Sequence, residues 1–409
     1  MNSSFARGMS RATELTRSGN LGDATALIQS LLQGQPAAAN SYGANSYAEG
    51  QFADGDVIEG TFTRLDDAAT RPNSTGASST GSTNSGPSSI FGKTAARKVR
   101  KGLGETLRGI AADGMPQRGV MTPMPLDLPD GAQFLSLTHS GSHGRRDYRL
   151  YVPVNQPEGP MPLIVMLHGC TQSPEDFAVG TGMNAQAEEF GCLIAWPAQP
   201  QGANVQKCWN WFRPEDQARD CGEPALIAGI IGDILRDHPA DPARVYIAGL
   251  SAGGAAAAIM GTAYPDLFAA VGVHSGLPVG GAIDVPSAFA AMRSGSTGKV
   301  RPMAVPAIVF HGLADQTVHP GNGDAVVAQA LQSRPGLKRV HVTGVSDGGR
   351  TYRQTRHDDA EGRSIAEHWE IDGAGHAWAG GRTGGSYTDP KGPDASREML
   401  RFFLQHTRT

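Results

Sequence analysis

One stretch limits the possible folds more than any other. Arg244-Val-Tyr-Ile-Ala248 runs into Gly249-Leu-Ser251-Ala-Gly253, and an alanine-rich segment follows as far as Ala263. The first part favours a strand and the last a helix. Only five residues separate them, so the strand must pass through a tight turn directly into the helix, the unit from which α/β sheets are built. A serine at the centre of that turn sits on strained backbone, with a glycine two positions to either side. The helix N-terminus behind it favours negative charge near the serine oxygen.

The pattern alone is weak evidence in a chain with 54 glycines, and a second match occurs at Gly344-Val-Ser346-Asp-Gly348. An apolar run precedes it, but Gly349-Arg-Thr-Tyr-Arg353 follows, with no helix start. Asp-Gly-Gly reads as a turn between two strands. Ser346 is therefore expected in a turn and Ser251 at a nucleophile position.

A net charge of −4 gives no general attraction to nucleic acid or anionic membranes. No apolar run approaches the length of a transmembrane helix. The N-terminus, Met1-Asn-Ser-Ser-Phe-Ala-Arg7, lacks the apolar core of a secretory signal, which points to a cytoplasmic protein. The four cysteines, Cys170, Cys192, Cys208 and Cys221, match no zinc template, and neither a metal nor an organic cofactor is expected. Cys192 reads as a buried strand residue. Cys208 and Cys221 flank a loop and can pair across it, although a reducing cytosol opposes the bond.

Composition divides the chain into three zones. Residues 1–34 carry one short amphipathic helix, capped by Asp23, with Ala24, Leu27, Ile28, Leu31 and Leu32 on one face. It is expected to dock on the main domain or a second copy; the alternative is the apolar surface of a polymer granule. Residues 35–130 read as a largely disordered linker, with a basic stretch at 93–108 that serves as a solvated tether.

Residues 131–409 have the pattern of one catalytic domain. A hairpin signal (Gln133–Thr138 and Asp147–Val152) opens it. Strand candidates follow at Leu163–Leu167, Leu193–Trp196, Val245–Ala248, Ala270–His274, Ala307–Phe310, Arg339–Thr343 and Glu367–Ile371. Between them lie helical stretches such as Pro224–Asp237, Ala255–Ala263, Gly323–Leu331 and Ala395–His406. Buried apolar strands alternating with helices imply a mainly parallel sheet with helices on both faces.

Serine needs a base, and the base needs an acid to orient it. The strand Ala307-Ile-Val-Phe310 ends in His311-Gly-Leu-Ala-Asp315, and the strand at Glu367–Ile371 ends in Asp372-Gly-Ala-Gly375-His376. Asp315 is the expected acid and His376 the expected base, each just past a strand's carboxyl end. Asp324 reads as a helix start, Asp372 is too close to His376, and His311 and His319 lie beside Asp315. An oxyanion needs two donors, and the expected pair is the backbone N–H of Ala252 and that of Cys170, in the loop after Pro162–Leu167.

Leu167-His-Gly-Cys170-Thr-Gln172, Cys208-Trp-Asn-Trp211-Phe212, Gly249-Leu-Ser251-Ala-Gly253, His274-Ser-Gly-Leu-Pro278, Gly375-His-Ala-Trp378 and Gly385-Ser-Tyr-Thr-Asp-Pro390 occur in that order. Together these blocks resemble polyhydroxybutyrate depolymerase-type esterases, with feruloyl and acetylxylan esterases as more distant relatives. The resemblance runs from about Gly131 to the C-terminus. It implies an α/β-hydrolase fold, a triad of Ser251, Asp315 and His376, and an ester or polyester substrate, first among them poly(3-hydroxybutyrate) or its oligomers. Feruloyl, acetyl or small aliphatic esters are the alternatives, and an inactive granule-surface scaffold is the reading from another class. Trp209, Trp211 and Trp378 are expected to wall the acyl part of the substrate. The segment Leu277–Pro302, with its Gly and Pro signals and short helix, is expected to form a partial rim.

Overall fold

Continuous apolar runs make central strands because both faces of the sheet they enter are covered. The computed structural model, which describes residues 126–298, 301–332 and 334–408, shows this in a single strand. Leu163, Val165 and Leu167 face one core, while Ile164 and Met166 face the other. The N-terminal helix from Asp23, the linker and the basic stretch lie outside the described residues.

The hairpin of β1 (Gln133–Gly141) and β2 (Gly144–Val152) opens the domain. Then come β3 (Met161–Leu167), α1 (Pro174–Thr181), α2 (Met183–Phe190), β4 (Leu193–Pro197), α3 (Gly222–Asp237), β5 (Ala240–Leu250) and α4 (Ala252–Ala263). The next elements are β6 (Ala270–His274), α5 (Val285–Ser294), β7 (Ala307–Gly312), α6 (Gly321–Leu331), β8 (Lys338–Val345), β9 (Thr351–Asp358) and β10 (Ser364–Ile371). A two-strand pair, β11 (Trp378–Ala379) and β12 (Thr388–Asp389), and the helix α7 (Ala395–Phe403) end the chain.

Ten strands form one sheet in the order β1-β2-β4-β3-β5-β6-β7-β10-β9-β8. The strands from β4 to β10 in that order pair in parallel, and antiparallel strands flank them on both sides. Side chains of α3, α4 and α6 cover one face, and those of α1, α2 and α7 the other. This is the α/β-hydrolase arrangement that the resemblance implied. The strands β8, β9 and β10 are consecutive antiparallel neighbours, and β10 enters between β9 and β7, where it pairs parallel to β7.

Among the described residues the expected strands and helices are present, most of them longer than their apolar cores. Pairing extends β5 back to Ala240, beyond the continuous run that marked it. Ser346 lies between β8 and β9, where its hydroxyl donates to the Lys391 carbonyl at 2.6 Å.

Candidate active site

The turn from β5 into α4 is as tight as its sequence demands. A Cβ on Gly249 would stand 2.3 Å from the Gly253 carbonyl carbon, and one on Gly253 would stand 2.0 Å from the Leu167 carbonyl oxygen. Strand β3, strand β5 and helix α4 thus meet where no side chain fits. Ser251 takes φ +58°, ψ −119°, a backbone conformation that costs energy for any residue with a side chain. Its N–H donates to the His274 carbonyl at 2.9 Å, which fixes the turn against β6. Its hydroxyl makes no capping bond to α4, so the Ser251 oxygen is not committed to the helix.

Asp315 and His376 are brought together. His376 Nδ1 lies 2.8 Å from Asp315 Oδ2. A carboxylate only accepts, so Nδ1 carries the proton and Nε2 is left as the basic nitrogen. The other carboxylate oxygen, Oδ1, accepts the N–H groups of Thr317 and Val318 at 2.9 Å each. Burial pushes the Asp315 carboxyl up, but the His311 and His376 imidazoles and these N–H groups outweigh it. They hold it well below the usual carboxylate range.

The two loops also bind each other directly. The Leu313 N–H donates to the Ile371 carbonyl and the Ala314 N–H to the Ala374 carbonyl, both at 2.9 Å. Gly312 permits this approach, since a Cβ there would stand 2.4 Å from the Ala374 oxygen. Ser251, Asp315 and His376 therefore leave the carboxyl ends of three mutually parallel strands, β5, β7 and β10, on the same edge of the sheet.

Ala252 is the first residue of α4, where a backbone N–H has no intrahelical acceptor. Around Cys170 the structure corrects the sequence. Cys208 pairs not with Cys221 but with Cys170; the disulfide spans 38 positions, and Cys221 is an exposed free thiol. The expected donor loop is thus tied covalently to the loop after β4. Local spacing favoured Cys221, but the fold brings the ends of β3 and β4 side by side.

Polar contacts fix the same loop. His168 Nε2 accepts the Gln199 N–H at 3.1 Å, so Nδ1 bears the proton and donates to the Gly169 carbonyl at 2.8 Å. Burial pushes this imidazole down to about 4, and it stays neutral. Gln172 Oε1 accepts the Gly169 N–H at 2.9 Å, while its amide reaches Asp176 and Ser386. Behind them lies a buried network in which Gln199 bridges Arg146 and Glu223, and Glu223 accepts the Asn210 N–H at 2.8 Å. Burial, reinforced by nearby Asp216, pushes the Glu223 carboxyl up.

The structure places all three tryptophans expected at the substrate in buried surroundings. Trp209 is fully buried and its Nε1 donates to the His168 carbonyl at 3.0 Å. Trp378, also fully buried, donates to Ser396 Oγ at 3.0 Å and stacks on His274. Trp211 is 6% exposed and packs edge-on against Phe212. Trp209 and Trp378 brace the framework, each with a bonding partner for its N–H in the core, while Trp211 is held by packing. The segment Leu277–Pro302 does carry a helix, α5, and its C-terminal end meets the acid loop where the His319 N–H donates to the Met292 carbonyl at 2.7 Å.

Sequence reasoning noted His274 only as a strand end and part of a family block and gave it no role. Its Nε2 accepts the Ala379 N–H at 2.9 Å, three residues beyond His376. A groove of about 580 Å3 lies elsewhere, between α6 and the β8–β10 strands; Asp324, Arg339, Arg353, His368 and Glu370 are among its lining residues, and none of the expected site residues is.

A sequence profile of the family described as esterase PHB depolymerase matches residues 146–358. That span includes Ser251 and Asp315 and ends before His376. Poly(3-hydroxyalkanoate) depolymerase C of Paucimonas lemoignei is 32% identical over 242 residues, which are 55% of this chain and 57% of that protein. Poly(3-hydroxybutyrate) depolymerase of Ralstonia pickettii is 28% identical over 265 residues, 58% of this chain and 53% of that one. The chain thus spans little more than half the length of either depolymerase. Acetylxylan esterase A of Emericella nidulans is 27% identical over 219 residues, 47% of this chain and 69% of that protein. Among solved structures, an acetyl xylan esterase from Aspergillus awamori shares the fold, with a TM-score of 0.52 at 18% identity, covering 67% of this chain and 99% of that one.

Proposed function

This chain belongs to the esterase PHB depolymerase family, and from that premise we propose that it is a serine carboxylic-ester hydrolase working through an acyl-enzyme. The observation that carries the reading is the 2.8 Å contact between His376 Nδ1 and Asp315 Oδ2, on the same edge of the sheet as a serine on a strained strand–helix turn. Ser251 Oγ attacks the ester carbonyl as His376 Nε2 takes its proton. Asp315 holds the imidazole in the required tautomer and stabilises the imidazolium. The N–H groups of Ala252 and Cys170 receive the oxyanion. His376 then returns the proton to the leaving alcohol, and water, activated by the same nitrogen, releases the acid.

The substrate we propose is a poly(3-hydroxyalkanoate), first poly(3-hydroxybutyrate) or its oligomers; the named activities of the two depolymerase relatives support it. Acetyl and feruloyl esters are the competing class, favoured by the acetylxylan esterase relative. The disulfide at Cys170 favours an oxidising compartment over the cytoplasm suggested by the N-terminus. The N-terminal segment remains our candidate for contact with a polymer surface.

A turnover panel tests the assignment: amorphous polyhydroxybutyrate, 3-hydroxybutyrate oligomers, methyl ferulate and p-nitrophenyl acetate, each with the native enzyme and with Ser251→Ala. The hydroxybutyrate esters should lead, and all turnover should vanish in the variant. A wide lead for ferulate replaces the depolymerase reading with an aromatic esterase.

A further inference from the structure

His311 lies at the carboxyl end of β7 and is fully buried. Its Nε2 donates to the Val318 carbonyl at 2.9 Å and stands 3.5 Å from Asp315 Oδ2. Both neighbours only accept, so Nε2 carries a proton whatever the other nitrogen does. That other nitrogen, Nδ1, is buried with no hydrogen-bond partner among the described residues. It faces Gly323 of α6, where a Cβ would stand 3.0 Å away. An unpaired buried nitrogen costs stability that an apolar ring of the same size would not lose. The placement makes sense through what Nε2 does.

We infer that His311 is a positioning residue for the reaction: with its Nε2–H bound to the Val318 carbonyl and that nitrogen 3.5 Å from the oxygen that also receives His376, the ring holds the Asp315 carboxylate so that the acid orients the base without taking its proton. The inference rests on the reading of Asp315 as the triad acid. Two routes lead from the ring to that carboxylate. One is electrostatic, from the protonated Nε2 to Oδ2 across 3.5 Å. The other passes through Val318, whose carbonyl binds His311 and whose N–H binds Oδ1. Asp315 is thereby held by groups on both of its oxygens, and neither can rotate toward a new partner. The titratable groups around the ring are Asp315 on the acid turn, His376 beyond it, His274 on β6 and His368 on β10.

Two variants separate the roles. His311→Gln places an amide N–H near the position of Nε2, whereas His311→Phe keeps the ring and removes both nitrogens. His311→Phe is expected to lower kcat for p-nitrophenyl butyrate about ten-fold with KM changed by less than about two-fold. It should also move the acid limb of kcat/KM upward by about half a pH unit, since a less satisfied carboxylate is the stronger base and holds an imidazolium better. His311→Gln should restore most of both. A purely structural role predicts a lower Tm in both variants with the limb unmoved, and that result overturns the inference. So does a His311→Phe enzyme with native kcat and limb. Asp315→Asn is the reference: if it keeps native turnover, the triad reading itself fails; if it loses turnover while His311→Phe behaves as native, only the role of His311 fails. Should His311→Phe not fold, Gly323→Ala presses on the same ring from α6, and there a shifted limb supports the inference while an unmoved one overturns it.

Discussion

His274 Nε2 accepts the backbone N–H of Ala379 at 2.9 Å. The carbonyl of the same residue accepts the Ser251 N–H, also at 2.9 Å, so one histidine at the end of β6 braces the serine turn and the segment that follows His376. Its Nδ1 then bears the proton, with Ser275 Oγ 3.2 Å away. Phe310 and Trp378 both stack on it. A charged ring has no place there.

That neutrality has a pH signature. Burial pushes His274 down to about 3 and His168 and His406 to about 4, against an ordinary value of 6.5. The unfolded chain therefore binds more protons below pH 6.5, and the stability present above that pH is lost as the pH falls from 6.5 toward 4. Each such group contributes a slope of about 1.4 kcal/mol per pH unit across that window. Asp315, held low, acts in the same direction only below the carboxylate range. Thermal unfolding should show a flat Tm from pH 8 to 6.5 and a steep fall by pH 5. A Tm unchanged at pH 5 would mean that these rings are not kept neutral.

Ser251→Ala should reduce p-nitrophenyl butyrate turnover on the order of 10,000-fold or more while leaving the Tm within a few degrees. Ser346→Ala should leave turnover intact, because its hydroxyl serves the turn between β8 and β9. The reverse outcome would move the nucleophile to the other glycine-flanked serine. Labelling by a fluorophosphonate probe reads the same distinction without a substrate.

Replacing both Cys170 and Cys208 by alanine, or reducing the native enzyme, removes a link across 38 positions. Loop entropy puts the loss at about 4 kcal/mol. Turnover should fall as well, by roughly ten-fold, because the Cys170 N–H loses its covalent brace. Cys192 offers no alternative partner: it is buried, and its thiol is pushed up to about 12. Equal Tm and kcat before and after reduction would refute the brace.

Gly253→Ala should be among the most damaging single-methyl additions in the chain, since the new carbon would stand 2.0 Å from the Leu167 oxygen. A loss of at least about 3 kcal/mol is expected, since backbone cannot step aside as a side chain can. Gly202→Ala, with nothing within 4 Å, should be silent in the same melting assay.

Strand runs such as Leu163–Leu167 were legible because burial on both faces leaves an unbroken apolar string. The serine turn was legible for a related reason: three backbones meeting there leave no room for a side chain at Gly249 or Gly253. Asp315 and His376 followed from chain order and from their places after strands. The contacts of His274 and His311 were not legible, since they depend on which strands lie side by side. The Cys170–Cys208 bond was hidden for the same cause. The burial of Trp209 and Trp378 was not legible, because nearness in sequence to site residues does not say whether a ring turns toward solvent or core.

The path of the chain through β8, β9 and β10 has a kinetic consequence. These strands form a meander whose pairings are local, so it can assemble before it meets the rest of the sheet. On that route docking is the alignment of β10 along β7, and the contact of His376 with Asp315 is expected to form with it. Trp369 marks that seam, stacked on Phe310 of β7 at 5.2 Å and close to Tyr352 of β9 at 4.9 Å. During refolding, the change in emission of this indole and the return of turnover should share one rate constant, and a meander formed early should remain inactive until that step.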